Sequence, residues 1–172
     1  MASAIAYAKA SRRQQCMVVT TSIGPGALNV VTAAGVAMAN RLPLLILAGD
    51  TFASRVPDPV LQQVEHPHAP SVTVNDAFRA VTRFWDRITA PEQLLSSLPS
   101  AVSMLLDAGD CGPAFIALPQ DVQAMAFDWP EQFFRTVVHP RLRSRPSLNS
   151  VQAAADALRA SKTPLIIAGG GV

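Results

Sequence analysis

Ser22-Ile23-Gly24-Pro25-Gly26-Ala27-Leu28-Asn29 is the stretch of this chain best suited to chemistry. Two glycines around a proline bend the backbone sharply and remove the side chains that would hold a ligand at a distance. Met17 to Thr21 is apolar or β-branched, which predicts a buried parallel strand before the turn. Ala27 to Ala39 predicts a helix after it, whose first turn offers unpaired N–H groups. Strand, turn and helix thus set bare backbone at the carboxyl edge of a parallel sheet, where open α/β folds bind ligands. The same glycines would serve a turn that needs them for geometry alone, and the residues by themselves leave both readings open.

Other candidates are weaker. Asp50 follows a predicted strand end, where it could meet a ligand or simply form a turn. His66 and His68 could polarise a hydroxylated substrate, yet both stand beside prolines in a polar loop, as surface histidines do. They form no metal pair, because no third ligand is close in sequence. Gln120-Asp121 follows the third strand and is read as holding the segment beyond it. Cys16 and Cys111 lie at or beside predicted buried strands, too far apart for metal-ligand spacing, and read as reduced thiols of a cytoplasmic protein.

The elements that must position these residues alternate. Helices are predicted at Ala2–Arg13, Ala27–Ala39 and from Pro91 to about Leu106, the last capped by Thr89. Strands are predicted at Met17–Thr21, Pro43–Ala48 and Pro113–Leu118. Pro59–Val64 could form a short helix, and Phe78–Ile88 either an irregular strand or a helix. The alternation predicts an α/β fold, a parallel sheet with helices on both faces. With 172 residues, 49% of them hydrophobic, the chain can bury a core. A net charge of +2 excludes a nucleic-acid binder with a dense basic stripe, and no apolar run reaches the length of a membrane span.

From Pro119 onward the composition shifts. Residues 129–148, rich in proline and arginine, read as a linker between a first domain at 1–128 and the start of a second at 149–172. Ser147 or Asn149 would cap a helix at Ser150–Ala160, and Leu165–Ala168 would be a strand. Both ends read as cut, which predicts a segment of a longer polypeptide.

Several stretches resemble one family. Thr21-Ser-Ile-Gly-Pro-Gly-Ala-Leu-Asn29 and Asn40-Arg-Leu-Pro-Leu-Leu-Ile-Leu-Ala-Gly-Asp50 are similar to the pyrimidine-binding domain of thiamine-diphosphate enzymes related to acetolactate synthase. Thr163-Pro-Leu-Ile-Ile-Ala-Gly-Gly-Gly171 resembles the start of that family's middle domain. The stretches Asp50–His66, Asn75–Thr89 and Asp110–Ala124 are most similar to a hydrolytic branch that opens a cyclic dione in inositol breakdown.

The resemblance implies thiamine diphosphate and Mg²⁺ in the parent protein, and a homo-oligomer built through the pyrimidine-binding domain. It implies cofactor contact for Ser22, Gly24, Pro25, Gly26 and Asn29, with Ser22 equally able to cap the next helix. It places Gln62 and Gln63 in a loop where related enzymes set polar side chains near the substrate, although solvated loop residues are the favoured reading for both, and His66 is a further substrate candidate from its own chemistry. The family's cofactor is activated by a glutamate on this domain, which a low-dielectric pocket keeps able to share a proton. No glutamate occurs before Glu65, and the family's diphosphate motif is absent. The segment alone is therefore expected to bind no cofactor tightly and to lack activity. A carboligase like acetolactate synthase, or a non-catalytic module that binds a subunit, remain the alternatives.

Overall fold

A computed structural model describes residues 1–57, 59–64, 68–139 and 145–169. The chain divides into two compact units, Met1–His139 and Pro140–Val172. In the first, β1 (Val18–Thr21), β2 (Leu44–Asp50), β3 (Phe84–Arg87) and β4 (Pro113–Pro119) form one parallel sheet in the order β1-β2-β4-β3. Its helices are α1 (Ala2–Ala10), α2 (Pro25–Ala39), α3 (Leu94–Leu106) and the short α4 (Gln120–Gln123). The expected α/β architecture is what the structure shows.

Side chains alternate across each strand and so sort the core into two layers. Leu44, Ile46 and Ala48 of β2 join Phe115 and Ala117 of β4 beneath α1 and α2. Leu45 joins Ala114 and Ile116 against Ala101 and Leu105 of α3. Apolar side chains on both faces explain why β2 and β4 read as unbroken apolar runs. Ala27, Ala34 and Ala37 of α2 are fully buried, so this helix lies close on the sheet through its small residues. Phe78 stacks on Phe115 with ring centroids 4.2 Å apart, and Trp85 stacks on the same ring at 6.2 Å.

β2 and β4 are neighbours in the sheet, and the segments that leave them both begin on the α3 face, where Ala53 packs against the cluster that buries Val122. The segment after β2 then reaches the α2 face, where Phe78 is buried.

Several local expectations change. β1 is an edge strand with Val18 53% exposed, because β2 pairs it on one side only and α3 does not reach it. Its neighbour Cys16 is accordingly exposed, while Cys111 is buried. Phe78–Ile88 is neither one strand nor one helix: a 3-10 helix spans Val74–Ala80 and β3 begins at Phe84. Residues 59–64 make a turn, closed by the Gln63 N–H on the Val60 carbonyl at 3.1 Å. Before α3, Pro91–Gln93 is a 3-10 turn, and the Gln93 side chain, not Thr89, does the capping. Its Oε1 accepts the Thr89 N–H at 2.7 Å and the Ala90 N–H at 3.3 Å.

The second unit contains α5 (Leu148–Ala160), capped as expected by the Ser147 hydroxyl, which accepts the Ser150 N–H at 3.2 Å. Residues 163–168 form no strand, since a strand needs a neighbour and none is present there among the described residues. Leu165 and Ile167 stand 84% and 86% exposed.

Candidate functional site

Gly24 is the N-cap of α2 and adopts φ 64°, ψ −129°, a conformation that favours glycine strongly. Pro25 follows at the first helical position, where its missing N–H costs nothing. The Leu28 N–H closes the first turn on the Gly24 carbonyl at 3.1 Å. No side chain caps the helix and no acid stands in its first turn, so the Gly26 and Ala27 N–H groups have no intrahelical partner. Ser22 does not serve as a cap. It precedes the cap position, and its hydroxyl reaches only the Ile23 carbonyl, at 3.5 Å.

Each glycine's missing side chain has an occupant within the chain. A Cβ on Gly24 would lie 1.7 Å from the carbonyl oxygen of Gln62, and one on Gly26 would lie 2.1 Å from the Ser22 hydroxyl. The bareness of the turn is thus used first by the protein's own loop. Ser22, Pro25, Gly26 and Asn29 remain exposed, whereas Gly24 and Ile23 are buried. Just before the turn, the buried Thr21 hydroxyl has no hydrogen-bond partner.

Gln62 is exposed and itself adopts a positive φ of 66°. Gln63 turns its amide inward, where Oε1 accepts the Val60 N–H at 2.9 Å. His66 lies outside the described residues, as does Glu65, and His68 is exposed. The structure therefore brings Gln62 to the Gly-Pro-Gly turn and keeps Gln63 bonded within its own loop.

Asp50 ends β2 with only 2% of its side chain exposed, and it is neither a simple turn residue nor an open ligand. Its Oδ2 accepts Arg87 Nε at 2.7 Å, and its Oδ1 accepts the Thr51 N–H at 2.8 Å. Arg87 ends β3 and spreads its guanidinium further. It donates to the Ser71 carbonyl at 3.1 Å, to the Thr73 hydroxyl at 2.8 Å and to Asp76 Oδ2 at 2.9 Å. Arg79 binds the other Asp76 oxygen at 2.8 Å and lies 3.5 Å over the Trp85 ring. Burial opposes the Asp76 charge, yet the Thr73 N–H and the two arginines together hold its carboxyl below the usual range. Burial likewise disfavours the Arg87 charge, and Asp76 and Asp50 outweigh it, raising the Arg87 pKa. Asn75 is fully buried in the same region. Its amide donates to the Gly49 carbonyl at 2.9 Å, its backbone carbonyl accepts the Trp85 indole at 2.9 Å, and its Oδ1 has no partner.

Asp121 on α4 does not hold the segment that follows it. Its two oxygens accept the Ala53 and Ser54 N–H groups at 2.9 and 3.0 Å, tying the end of β4 to the loop after β2. The little burial it has opposes its charge, but these N–H donors lower its pKa. Sequence reasoning passed over Arg87. Its one local signal is an arginine closing the short strand Phe84-Trp85-Asp86-Arg87, and its partners lie up to 37 residues away.

The exposed Pro25 and Gly26 and the uncapped helix start leave backbone open to a ligand, while the partnerless Thr21 hydroxyl is buried. Among the described residues, no three His, Cys, Asp or Glu side chains gather where they could hold a metal ion. No described helix is long and apolar enough to cross a membrane.

Residues 1–70 match the model of the thiamine pyrophosphate enzyme N-terminal TPP binding domain. The chain is 53% identical over 170 residues to the 3D-(3,5/4)-trihydroxycyclohexane-1,2-dione hydrolase of Geobacillus thermodenitrificans. It is 51% identical over 170 residues to that of Clostridium tetani and 48% over 169 to that of Bacillus subtilis. These alignments cover 98–99% of this chain and 26–27% of each relative, so the chain spans about a quarter of the length of the curated relatives it matches. The resemblance read from the sequence motifs is borne out.

Proposed function

We propose that this chain is the pyrimidine-binding part of a thiamine-diphosphate-dependent hydrolase that opens the ring of trihydroxycyclohexane-1,2-dione in inositol breakdown. Identity of 53% spread over 99% of the chain is the observation that carries this reading. Thiamine diphosphate, when bound, supplies the electron sink for cleaving a bond beside a carbonyl. The protein's share is placement. Exposed backbone at Pro25 and Gly26 can meet a flat ring without side chains between them, and the unpaired N–H groups at the start of α2 can donate to it. The Ser22 and Asn29 side chains, both exposed beside the turn, can hydrogen-bond the ring's edge.

Residues 1–64 contain no glutamate to exchange a proton with the ring nitrogen, and the proposal assigns that group and the magnesium ligands to parts of the parent protein beyond this chain. The division proposed is a pyrimidine-binding domain at 1–128, a linker at 129–148 and the start of a middle domain at 149–172. The working form is a cytoplasmic homo-oligomer, in which another subunit supplies the diphosphate and Mg²⁺ contacts.

The direct test assays a polypeptide of the relatives' full length on the cyclic dione and on pyruvate, with thiamine diphosphate and Mg²⁺. Ring opening of the dione is expected, and condensation of pyruvate would replace this reading with a carboligase. Calorimetry of the 172-residue chain with the cofactor is expected to show no tight binding. Tight Mg²⁺-dependent binding to it would overturn the division of labour proposed here.

A further inference from the structure

The geometry points to Asp121, supported by Arg87, as the positioning residue that seats the 59–64 loop on the Gly24–Pro25–Gly26 turn. Three observations carry this. First, the Asp121 carboxylate joins the segment after β4 to the segment after β2, holding the Ala53 and Ser54 N–H groups with one oxygen each. A carboxylate that accepts two successive backbone N–H groups fixes the direction of the chain as well as its position. Second, Arg87 ties the start of the same loop to its end, bonding Asp50 on one side and Ser71, Thr73 and Asp76 on the other. Third, two non-glycines among the described residues of the loop hold a positive φ, Arg55 at 58° and Gln62 at 66°. Such conformations persist only where the surroundings over-determine them. The second of them delivers the Gln62 carbonyl to the place a Gly24 Cβ would occupy.

The segments that leave the neighbouring strands β2 and β4 are therefore bridged by Asp121. The exposed rim left for a partner is the side of the turn at Pro25, Gly26 and Asn29. This assignment concerns the chain's own loop and stands apart from the identity of any cofactor.

The test is amide hydrogen exchange on the 172-residue chain, wild type and Asp121→Asn. An asparagine keeps one acceptor and replaces the other with a donor that faces an N–H, so one of the two bonds must break. Exchange at Ala53, Ser54 and Gln63 is expected to quicken about tenfold or more, while the amides of β2 and β4 keep their protection. A thermodynamic cycle supplies the second readout. Once the loop is released, the clash of a Gly24 Cβ with Gln62 is relieved, so Gly24→Ala should reduce the folding equilibrium constant by a factor about fivefold smaller in Asp121→Asn than in wild type. Unchanged exchange at residue 63, an equal loss across the whole sheet, or strict additivity of Gly24→Ala and Asp121→Asn would each overturn the assignment. Should Arg87 variants fail to fold, Asp121→Asn still decides, because its side chain lies at the surface end of the strap.

Discussion

Gly24→Ala and Gly26→Ala look alike in sequence and should differ sharply in effect. At Gly24 two costs add. The backbone sits at φ 64°, ψ −129°, where an L side chain is strained by about 1–3 kcal/mol. The new methyl would also stand 1.7 Å from the Gln62 carbonyl oxygen, so the loop must move, an overpacking cost of about 1–3 kcal/mol. Together these give roughly 2–6 kcal/mol, or a fall in Tm of about 5–20 °C for a chain of this size. At Gly26 no positive φ is involved, and the 2.1 Å clash is with the end of the exposed Ser22 side chain, which can rotate away. Replacing glycine by alanine inside a helix gains about 0.5–1 kcal/mol, so Gly26→Ala should lie within about 1 kcal/mol of wild type. Thermal unfolding followed by circular dichroism measures both. Equal losses at the two glycines, or a Gly24→Ala variant as stable as the parent, would refute the argument that the loop, and not a ligand, first claims the space at Gly24.

Two further predictions concern the charged network. Asp50→Ala leaves the Arg87 guanidinium buried with Asp76 as its remaining carboxylate, and should destabilise by about 3 kcal/mol, the low end for a broken buried pair; urea unfolding checks this, and Asp50→Ala/Arg87→Met should recover part of the loss. The Asp76 and Asp121 carboxyls both have folded pKa values below the ordinary 3.8, so the stability they contribute is fully present above that value and is lost as pH falls through their folded pKa values. The slope of stability against pH below about 4 should therefore flatten in Asp76→Asn, and an unchanged acid limb would contradict the network's role.

How far the sequence could be read follows from the range of the forces involved. β2 and β4 were legible because burial on both faces demands apolar runs, and Leu44–Ala48 and Pro113–Leu118 are such runs. The Gly-Pro-Gly turn was legible because its backbone geometry is local. β1 misled, since Val18 and Val19 are β-branched in an edge strand as readily as in a buried one, and only the pairing in the fold tells them apart. Leu165–Ala168 misled for a related reason: propensity names a strand, but a partner makes one. The Arg87 network could not be read at all. Asp50 stood out only as a strand-end residue, Asp76 and Arg87 are unremarkable in sequence, and only the β1-β2-β4-β3 order brings the ends of β2 and β3 and the 71–76 segment to one rim.

That difference bears on the functional reading of the turn. A glycine needed for a ligand and a glycine needed for the chain's own packing leave the same mark in a sequence, and the two demands are not exclusive here. Gly24 is buried beneath Gln62, so a bound ring could not reach it without first displacing the loop. Gly26 is exposed, and its N–H group stands at an uncapped helix start. The turn therefore divides its labour between its two glycines. Gly24 fixes where the backbone goes by accepting the loop that Asp121 and Arg87 hold in place, and Pro25 and Gly26 present the resulting surface outward. Under this division, changes at Gly24 should register first in folding, and side chains added at Gly26 first in binding.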